Sequence, residues 1–290
     1  MKVAIVGAGK MGRWFTKLFT EEGISVVVSD TDEEKLTKIK KEFGVTTANK
    51  AEAIRAADWV LISVPIKDFE DVAKEIQFHV RPDQVIMDIC SIKEFPVRIM
   101  HDYVKTGVTL GTHPVFGPGA KSIRNQGFIL TPTTTKEKRF AEDFKKWLEK
   151  RGAEVVLMSP GEHDELMSVV LGLPHFIGMV VCDTLLSYSI FTEAKKVAGT
   201  TYKMLLTLAE AVASEEPTFY ADLQMRLPKT EEIETLFWEK SREWLDIVKK
   251  RDKVGFATKM KSIQMKLEKI DHNYTKSYET MHELFDNVHM

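Results

Sequence analysis

The chain has 290 residues, 43% of them apolar, which leaves room for two packed domains at roughly 100–200 residues each and argues against a disordered chain. Forty-one Lys and Arg against 43 Asp and Glu give a formal charge of −2, so there is no overall basic field to hold nucleic-acid phosphates or an anionic membrane. The two cysteines, Cys90 and Cys182, cannot build a disulfide framework; both lie in apolar runs that suit reduced thiols.

In chain order, β-branched runs at 3–6, 24–29, 59–64, 84–88, 108–111, 127–131 and 154–158 alternate with helical patterns. The intervening apolar residues recur at three and four, as in Trp14, Phe15, Leu18 and Phe19, or Phe140, Phe144, Trp147 and Leu148. Strands separated by helices predict βαβ units and a largely parallel sheet. The strand pattern begins at once, with no cationic leader ahead of an apolar core. No apolar run reaches the roughly 20 residues of a membrane span; the longest, near 176–186, is interrupted by Asp183. A cytoplasmic protein with no membrane contact is therefore expected. After Pro160 the strand signal stops, and long amphipathic patterns follow, broken near Gly199, Pro217 and Pro228. No repeat or low-complexity tract is visible. The spacing predicts an α/β domain over 1–158 and an all-helical domain over 159–290.

Gly7-Ala8-Gly9-Lys10-Met11-Gly12 directly follows the first strand and opens a helix. In that context Gly7 permits a tight turn, Gly9 lets the backbone approach a pyrophosphate, and Gly12 lets the helix pack on the strand, with the N-terminal amides, those of Lys10 and Met11 among them, facing the phosphates. Asp30 ends the next strand pattern and can accept both ribose hydroxyls. Asp32, Glu33 and Glu34 beside it would repel a 2′-phosphate, so NAD is expected in preference to NADP. Val64 and Pro65, at the end of the run over 59–64, would abut the cofactor. The expected fold is a Rossmann-type doubly wound sheet followed by the helical domain. A glycine turn in a nucleotide-free sheet is the bland alternative.

Ligands of open α/β sheets sit at the carboxyl ends of the strands. Residues 88–93 (Asp-Ile-Cys-Ser-Ile-Lys) follow one strand there, and 111–119 (Gly-Thr-His-Pro-Val-Phe-Gly-Pro-Gly) follow the next. On residue type alone His113 reads first as a brace beside a Pro/Gly-rich loop and only second as a reactive group, and Ser91 as a helix cap. In the helical half, Asp164, Ser168, Leu171, His175, Gly178 and Cys182 follow helical spacing and form one stripe of mixed polarity, which must face solvent, a cleft or partner groups. His175 could equally be a satisfied core histidine, and His163-Asp164 a charge pair at a helix start.

Residues 111–118 resemble the His-Pro-Met-Phe-Gly-Pro signature of the prephenate/arogenate dehydrogenases, which make the precursor of tyrosine. Residues 88–93 resemble that family's Asp-x-x-Ser-x-Lys, 159–164 (Ser-Pro-Gly-Glu-His-Asp) its Ser-Pro-x-x-His-Asp, and 173–175 its Leu-Pro-His. The resemblance implies an NAD-dependent dehydrogenase that oxidatively decarboxylates prephenate to 4-hydroxyphenylpyruvate, with arogenate as the alternative substrate. It further implies a helical domain that forms a homodimer and an active site in the cleft between the domains. His113 would be catalytic, Ser91 its polar partner at the substrate hydroxyl, and His175 a substrate-side residue; no metal is called for. The family usually sets an arginine from the helical domain on a substrate carboxylate. No arginine occurs from Gly152 to Met225, so Lys203 or Arg226 would substitute, or the partner subunit would contribute. Lysine is the poorer fork for a carboxylate. Neither a separate regulatory domain nor a fused chorismate mutase is expected within these 290 residues. Two other readings are a different nicotinamide-dependent dehydrogenase, although the β-hydroxyacid group's Lys-x-x-x-Asn helix is missing, and a non-catalytic dinucleotide-sensing dimer.

Overall fold

The computed structural model describes residues 1–286 and divides into two compact units, the first Met1–Met167 with Ala221–Leu227, the second Ser168–Tyr220 with the chain from Pro228 onward. The last four residues of the expected second domain lie outside the described residues.

The first unit runs β1 (Lys2–Val6), α1 (Lys10–Glu21), β2 (Ser25–Ser29), α2 (Glu33–Phe43), β3 (Thr46–Thr47), α3 (Lys50–Ala56), β4 (Trp59–Ile62), α4 (Ile66–Ile76), β5 (Val85–Asp88), α5 (Glu94–Tyr103), β6 (Val108–Pro114), β7 (Gly127–Thr131), α6 (Thr135–Glu149), β8 (Glu154–Leu157) and α7 (Pro160–Met167). The strands form one sheet in the order β3-β2-β1-β4-β5-β6-β7-β8, parallel except where β7 runs against β6. The reversal of order at β1, with β2 on one side and β4 on the other, is the topological switch point at which such sheets bind ligands.

Helical periodicity buries Trp14, Phe15 and Phe19 of α1 against the sheet. On α6, Phe140, Phe144 and Trp147 stand edge-on to Trp59 of β4. Local signals fix the helix ends. Thr134 and Glu137 form a reciprocal cap at the start of α6, and Gly44 at φ 67° closes α2 in the left-handed conformation.

Three sequence expectations shift. The two-residue β3 was not anticipated, being too short for an alternating pattern. β4 stops at Ile62, so Val64 lies beyond it and Pro65 caps α4. β6 extends to Pro114 because β7 pairs antiparallel with it, His113 opposite Ile129 and Pro114 opposite Phe128, which puts His113 in the sheet and not in the loop after it. By contacts the first compact unit continues through Met167, since α7 packs on α5, and residues 221–227 join it by burying Leu223 and Leu227.

The second unit comprises the π-turn Ser168–Gly172, α8 (Leu173–Leu186), α9 (Phe191–Lys196), α10 (Thr200–Ala213), the first turn of α11 (Pro217–Arg226), α12 (Thr230–Lys249), α13 (Lys253–Ile270), a short 3-10 turn, and α14 (Ser277–Asp286). The π-turn breaks the 3.6-residue phase, so the six-residue stripe expected from Asp164 to Cys182 is not continuous. The unbroken helical run Pro160–Leu186 is long and apolar enough to cross a membrane by length and composition, contrary to the expectation that no run reaches that size. Its first turns carry Glu162, buried His163 and Asp164, and Glu165. On α12 and α13, Trp244 meets Phe256 edge-on at 4.9 Å.

Gly178 is what lets α8 approach α10: a Cβ built there would lie 2.7 Å from Val212 Cγ2. At an open helix position Gly→Ala stabilises by about 0.8–1 kcal/mol. Here the overlap should reverse the sign, so that Gly178→Ala lowers the urea midpoint in the native background and raises it in a Val212→Ala background, where the space exists. The same sign in both backgrounds would contradict this packing.

Candidate active site

The turn after β1 is built from its glycines. Gly7 adopts φ +108° and donates its N–H to Ser29 O; a Cβ there would fall 2.1 Å from Ser63 O. A Cβ on Gly12 would fall 1.9 Å from Gly7 O, whereas one on Gly9 would meet nothing within 4 Å. The two closed positions hold strand and helix together, and the open one leaves the space a ligand's phosphates need. Gly9 caps α1 without a side-chain hydrogen bond of its own, and the positive end of the helix dipole faces the turn, where it favours an anion. Lys10 is exposed and Met11 half-buried at this end. The Asp30 carboxylate is aimed at the same turn: Oδ2 accepts from Ala8 N at 2.6 Å and Oδ1 from Asp32 N at 2.8 Å. Each oxygen retains a second lone pair for a ribose hydroxyl. Half-buried Val64 flanks Gly7, and Pro65 is exposed. These residues fit a dinucleotide.

At the carboxyl ends of β5 and β6 lies a buried polar cluster. Lys93 is fully buried; its ammonium pairs with Asp88 Oδ1 and donates to Thr112 O at 2.6 Å. Thr112 Oγ1 donates back to Asp88 O. The clamp ties the two strand ends together one residue before His113. A capping box between Ser159 and Glu162 starts α7 and so delivers His163 and Asp164. Asp164 accepts from Lys93 N at 2.6 Å and Glu94 N at 2.9 Å, capping α5 from another helix. His163 Nδ1 lies 2.7 Å from Asp164 Oδ1, and its Nε2 2.8 Å from His113 Nδ1. His113 is 3% exposed. Burial first, then the neighbouring His163 and the Lys93 charge, hold its pKa well below the ordinary histidine value. Burial also lowers that of His163, opposed by its hydrogen bond to Asp164.

Ser91 is half-buried in the bend between β5 and α5. It does not cap α5, whose cap position is Lys93; its hydroxyl is left to other work three residues beyond Asp88, which pairs with Gly111 two residues before His113. Arg226 belongs to the first unit. Its guanidinium sits 4.8 Å from the centre of the Phe95 ring, and its Nε donates to Asp222 Oδ1 at 3.2 Å. In the second unit His175 is half-buried, its ring 4.7 Å from that of Tyr220, with a buried Nδ1 that has no hydrogen-bond partner; burial lowers its pKa. Lys203 is exposed on α10.

Asp88, Lys93, His163 and Asp164 stand in the family-like segments 88–93 and 159–164, but the sequence alone assigns none of them a role at the site. The spacing of a Lys five residues after a strand-ending Asp, and of a His-Asp pair in the first turn of a helix, is the only local sign of the cluster. Among the described residues no group of three His, Cys, Asp or Glu side chains is placed to hold a metal.

Fold and site define a nucleotide-binding α/β unit joined to a helical one, and comparison with known proteins agrees. Residues 15–157 match the family model "Prephenate dehydrogenase, nucleotide-binding domain" and 159–262 match "Prephenate dehydrogenase, dimerization domain". The chain belongs to the prephenate dehydrogenase family. A Methanocaldococcus jannaschii protein named "Probable arogenate/prephenate dehydrogenase" is 38% identical over 89% of this chain, which covers 58% of that protein's length. Among solved structures, a prephenate dehydrogenase from A. aeolicus in complex with hydroxyphenyl propionate and NAD+ superposes with a TM-score of 0.77 at 22% identity, covering 93% of this chain and 98% of that one. Synechocystis arogenate dehydrogenase does so at 0.72 and 15%, covering 93% and 100%. These two likenesses bear on the fold.

Lys93→Met should destabilise the first unit by about 3–5 kcal/mol, because it strands the Asp88 carboxylate in the interior. Adding Asp88→Asn should recover part of the loss in urea unfolding. A single variant within about 1 kcal/mol of the parent would show that the clamp contributes little.

Proposed function

We propose that the protein is an NAD-dependent prephenate dehydrogenase, converting prephenate to 4-hydroxyphenylpyruvate in tyrosine biosynthesis. The observation that carries this is His113, a buried imidazole kept neutral at the end of β6, in the same unit as the glycine turn and Asp30. In prephenate the ring C4 bears a hydroxyl, with a carboxylate across the ring. Loss of hydride from C4 and of CO2 from the opposite carbon makes the ring aromatic. A bound oxidised nicotinamide would supply the hydride acceptor. His113 accepts the hydrogen bond of the C4 hydroxyl and takes its proton as carbonyl character develops, an interaction that strengthens toward the transition state. Ser91 orients the same hydroxyl. Gly7, Gly9 and Gly12 admit the pyrophosphate, and Asp30 takes the ribose hydroxyls with the neighbouring acids disfavouring a 2′-phosphate. Arg226, already paired with Asp222, is the candidate cation in the first unit for the substrate's side-chain carboxylate, and Lys203 in the helical unit is the other.

Arogenate, which carries an amino acid where prephenate carries a keto acid, is the second reading. It is favoured by the absence of arginine from Gly152 to Met225 and by the double name of the M. jannaschii relative.

The test is turnover of prephenate and of arogenate with NAD and NADP, followed by the absorbance of reduced nicotinamide. Activity with prephenate and NAD is expected; none with either substrate would overturn the proposal. Only a neutral ring accepts a proton, and everything around His113 favours the neutral form, so kcat/KM should hold down to pH values below histidine's ordinary ~6.5 before it falls. The same shift gives stability that is full above about pH 6.5 and declines as pH drops from there toward the depressed folded pKa. In His113→Asn, kcat should fall by about 10²–10⁴-fold and the acid limb should vanish. A folded variant that keeps both rate and limb would remove His113 from catalysis.

We also propose a homodimer through the helical unit. Trp238, Leu245, Val248 and Phe256 are 42–57% exposed in the single chain, more apolar surface than a monomer's small helical layer hides. Light scattering at micromolar concentration should give twice the chain mass, and a monomer mass would reject it.

A further inference from the structure

The proposed reaction uses His113 and leaves His163, with no exposed surface at all, without a task. The carboxylate of Asp164 accepts from Lys93 N and Glu94 N, which fixes it against the first turn of α5. It lies 2.7 Å from His163 Nδ1, so that nitrogen carries the proton, and a neutral ring then presents a lone pair at Nε2. His163 Nε2 faces His113 Nδ1 at 2.8 Å. A lone pair there requires a donor, so His113 is protonated on Nδ1 and unprotonated on Nε2. One anchored carboxylate thus dictates, through two rings, which nitrogen of His113 is basic. The charged groups of the cluster are Lys93, Asp88 and Asp164; the Lys93 ammonium is already engaged by Asp88 and Thr112 O, so it does not compete for either ring.

We infer that His163 and Asp164 are positioning residues that hold His113 in the tautomer whose Nε2 lone pair receives the proton of the substrate's ring hydroxyl. The inference rests on His113 being the base of the proposed reaction. In that step the O–H bond breaks, an N–H bond forms at His113 Nε2, and His113 becomes an imidazolium. Its Nδ1 proton stays donated to His163 Nε2, the His163 Nδ1 proton stays on that nitrogen and donated to the Asp164 carboxylate, and the new charge is stabilised along that line. A His163 that merely filled the core would need neither its acceptor toward His113 nor its donor toward a carboxylate.

Two readouts test this. Long-range proton–nitrogen NMR of the folded free protein, with rings assigned by comparison with His113→Asn and His163→Gln, should show both His113 and His163 protonated at Nδ1. In kinetics His163→Leu removes the acceptor, and kcat should fall by about 10–100-fold, by analogy with the loss of orienting partners of metal-bound histidines, with KM little changed. His163→Gln places an oxygen where Nε2 stood and accepts the same Nδ1 proton, so it should restore most of the rate and keep the acid limb. A His113 protonated at Nε2, a folded His163→Leu enzyme with kcat near wild type, or Leu and Gln variants equally impaired would each overturn the inference. Without turnover of prephenate or arogenate, the proposed function fails, while the wild-type spectrum still decides the tautomer.

Discussion

The ammonium of Lys93, buried without any contact with water, is the constraint on which the first unit's chemistry depends. A lone buried charge is costly, and this one is offset by Asp88 on one strand and a carbonyl of the next. Satisfying it obliges β5 and β6 to end side by side. Once they do, Ser91 and His113 occupy neighbouring strand ends, and the start of α5 lies where Asp164 can cap it. The arrangement is self-consistent in a way that few substitutions preserve, because each partner is also the partner of something else.

The glycine turn obeys a different logic, one of steric exclusion. At Gly7 and Gly12 the backbone comes closer than any side chain allows, and at Gly9 it leaves room. Phosphate binding by such a turn depends on backbone amides and the end of α1, whereas the chemistry at β5 and β6 depends on side chains. The unit therefore separates holding from reacting, with strand β4 between the two.

The parts of the fold that were legible are those whose causes are local. Alternating runs such as Val3 to Val6, the three-and-four spacing of Trp14, Phe15, Leu18 and Phe19, and the glycine pattern each carry their structure within a few residues. What escaped was nonlocal. The extension of β6 through His113 depends on β7, fourteen residues later, running antiparallel. The phase break at Ser168–Gly172 has no proline to announce it. The burial of Lys93 is not legible, since nothing within its own segment says that Asp88 and Thr112 will enclose it, and His163-Asp164 reads as a helix-start charge pair because its partner His113 is fifty residues away. Ser91 and His113 were singled out by residue type and motif, yet the groups that give them their environment were visible only in three dimensions.

Strand β6 is paired on both sides: with β5 up to Gly111, and with β7 from Gly111 to Pro114. The excursion between β6 and β7, residues 115–126, is tied down along its length: the Phe116 ring lies 4.7 Å from that of Trp14, Ala120 O accepts from Trp14 Nε1 at 2.7 Å, and Ile123 is buried in the core. Trp14 belongs to α1, the helix that the glycine turn opens. One indole therefore joins the nucleotide turn to the segment that follows His113, and a change in its size would be felt at both.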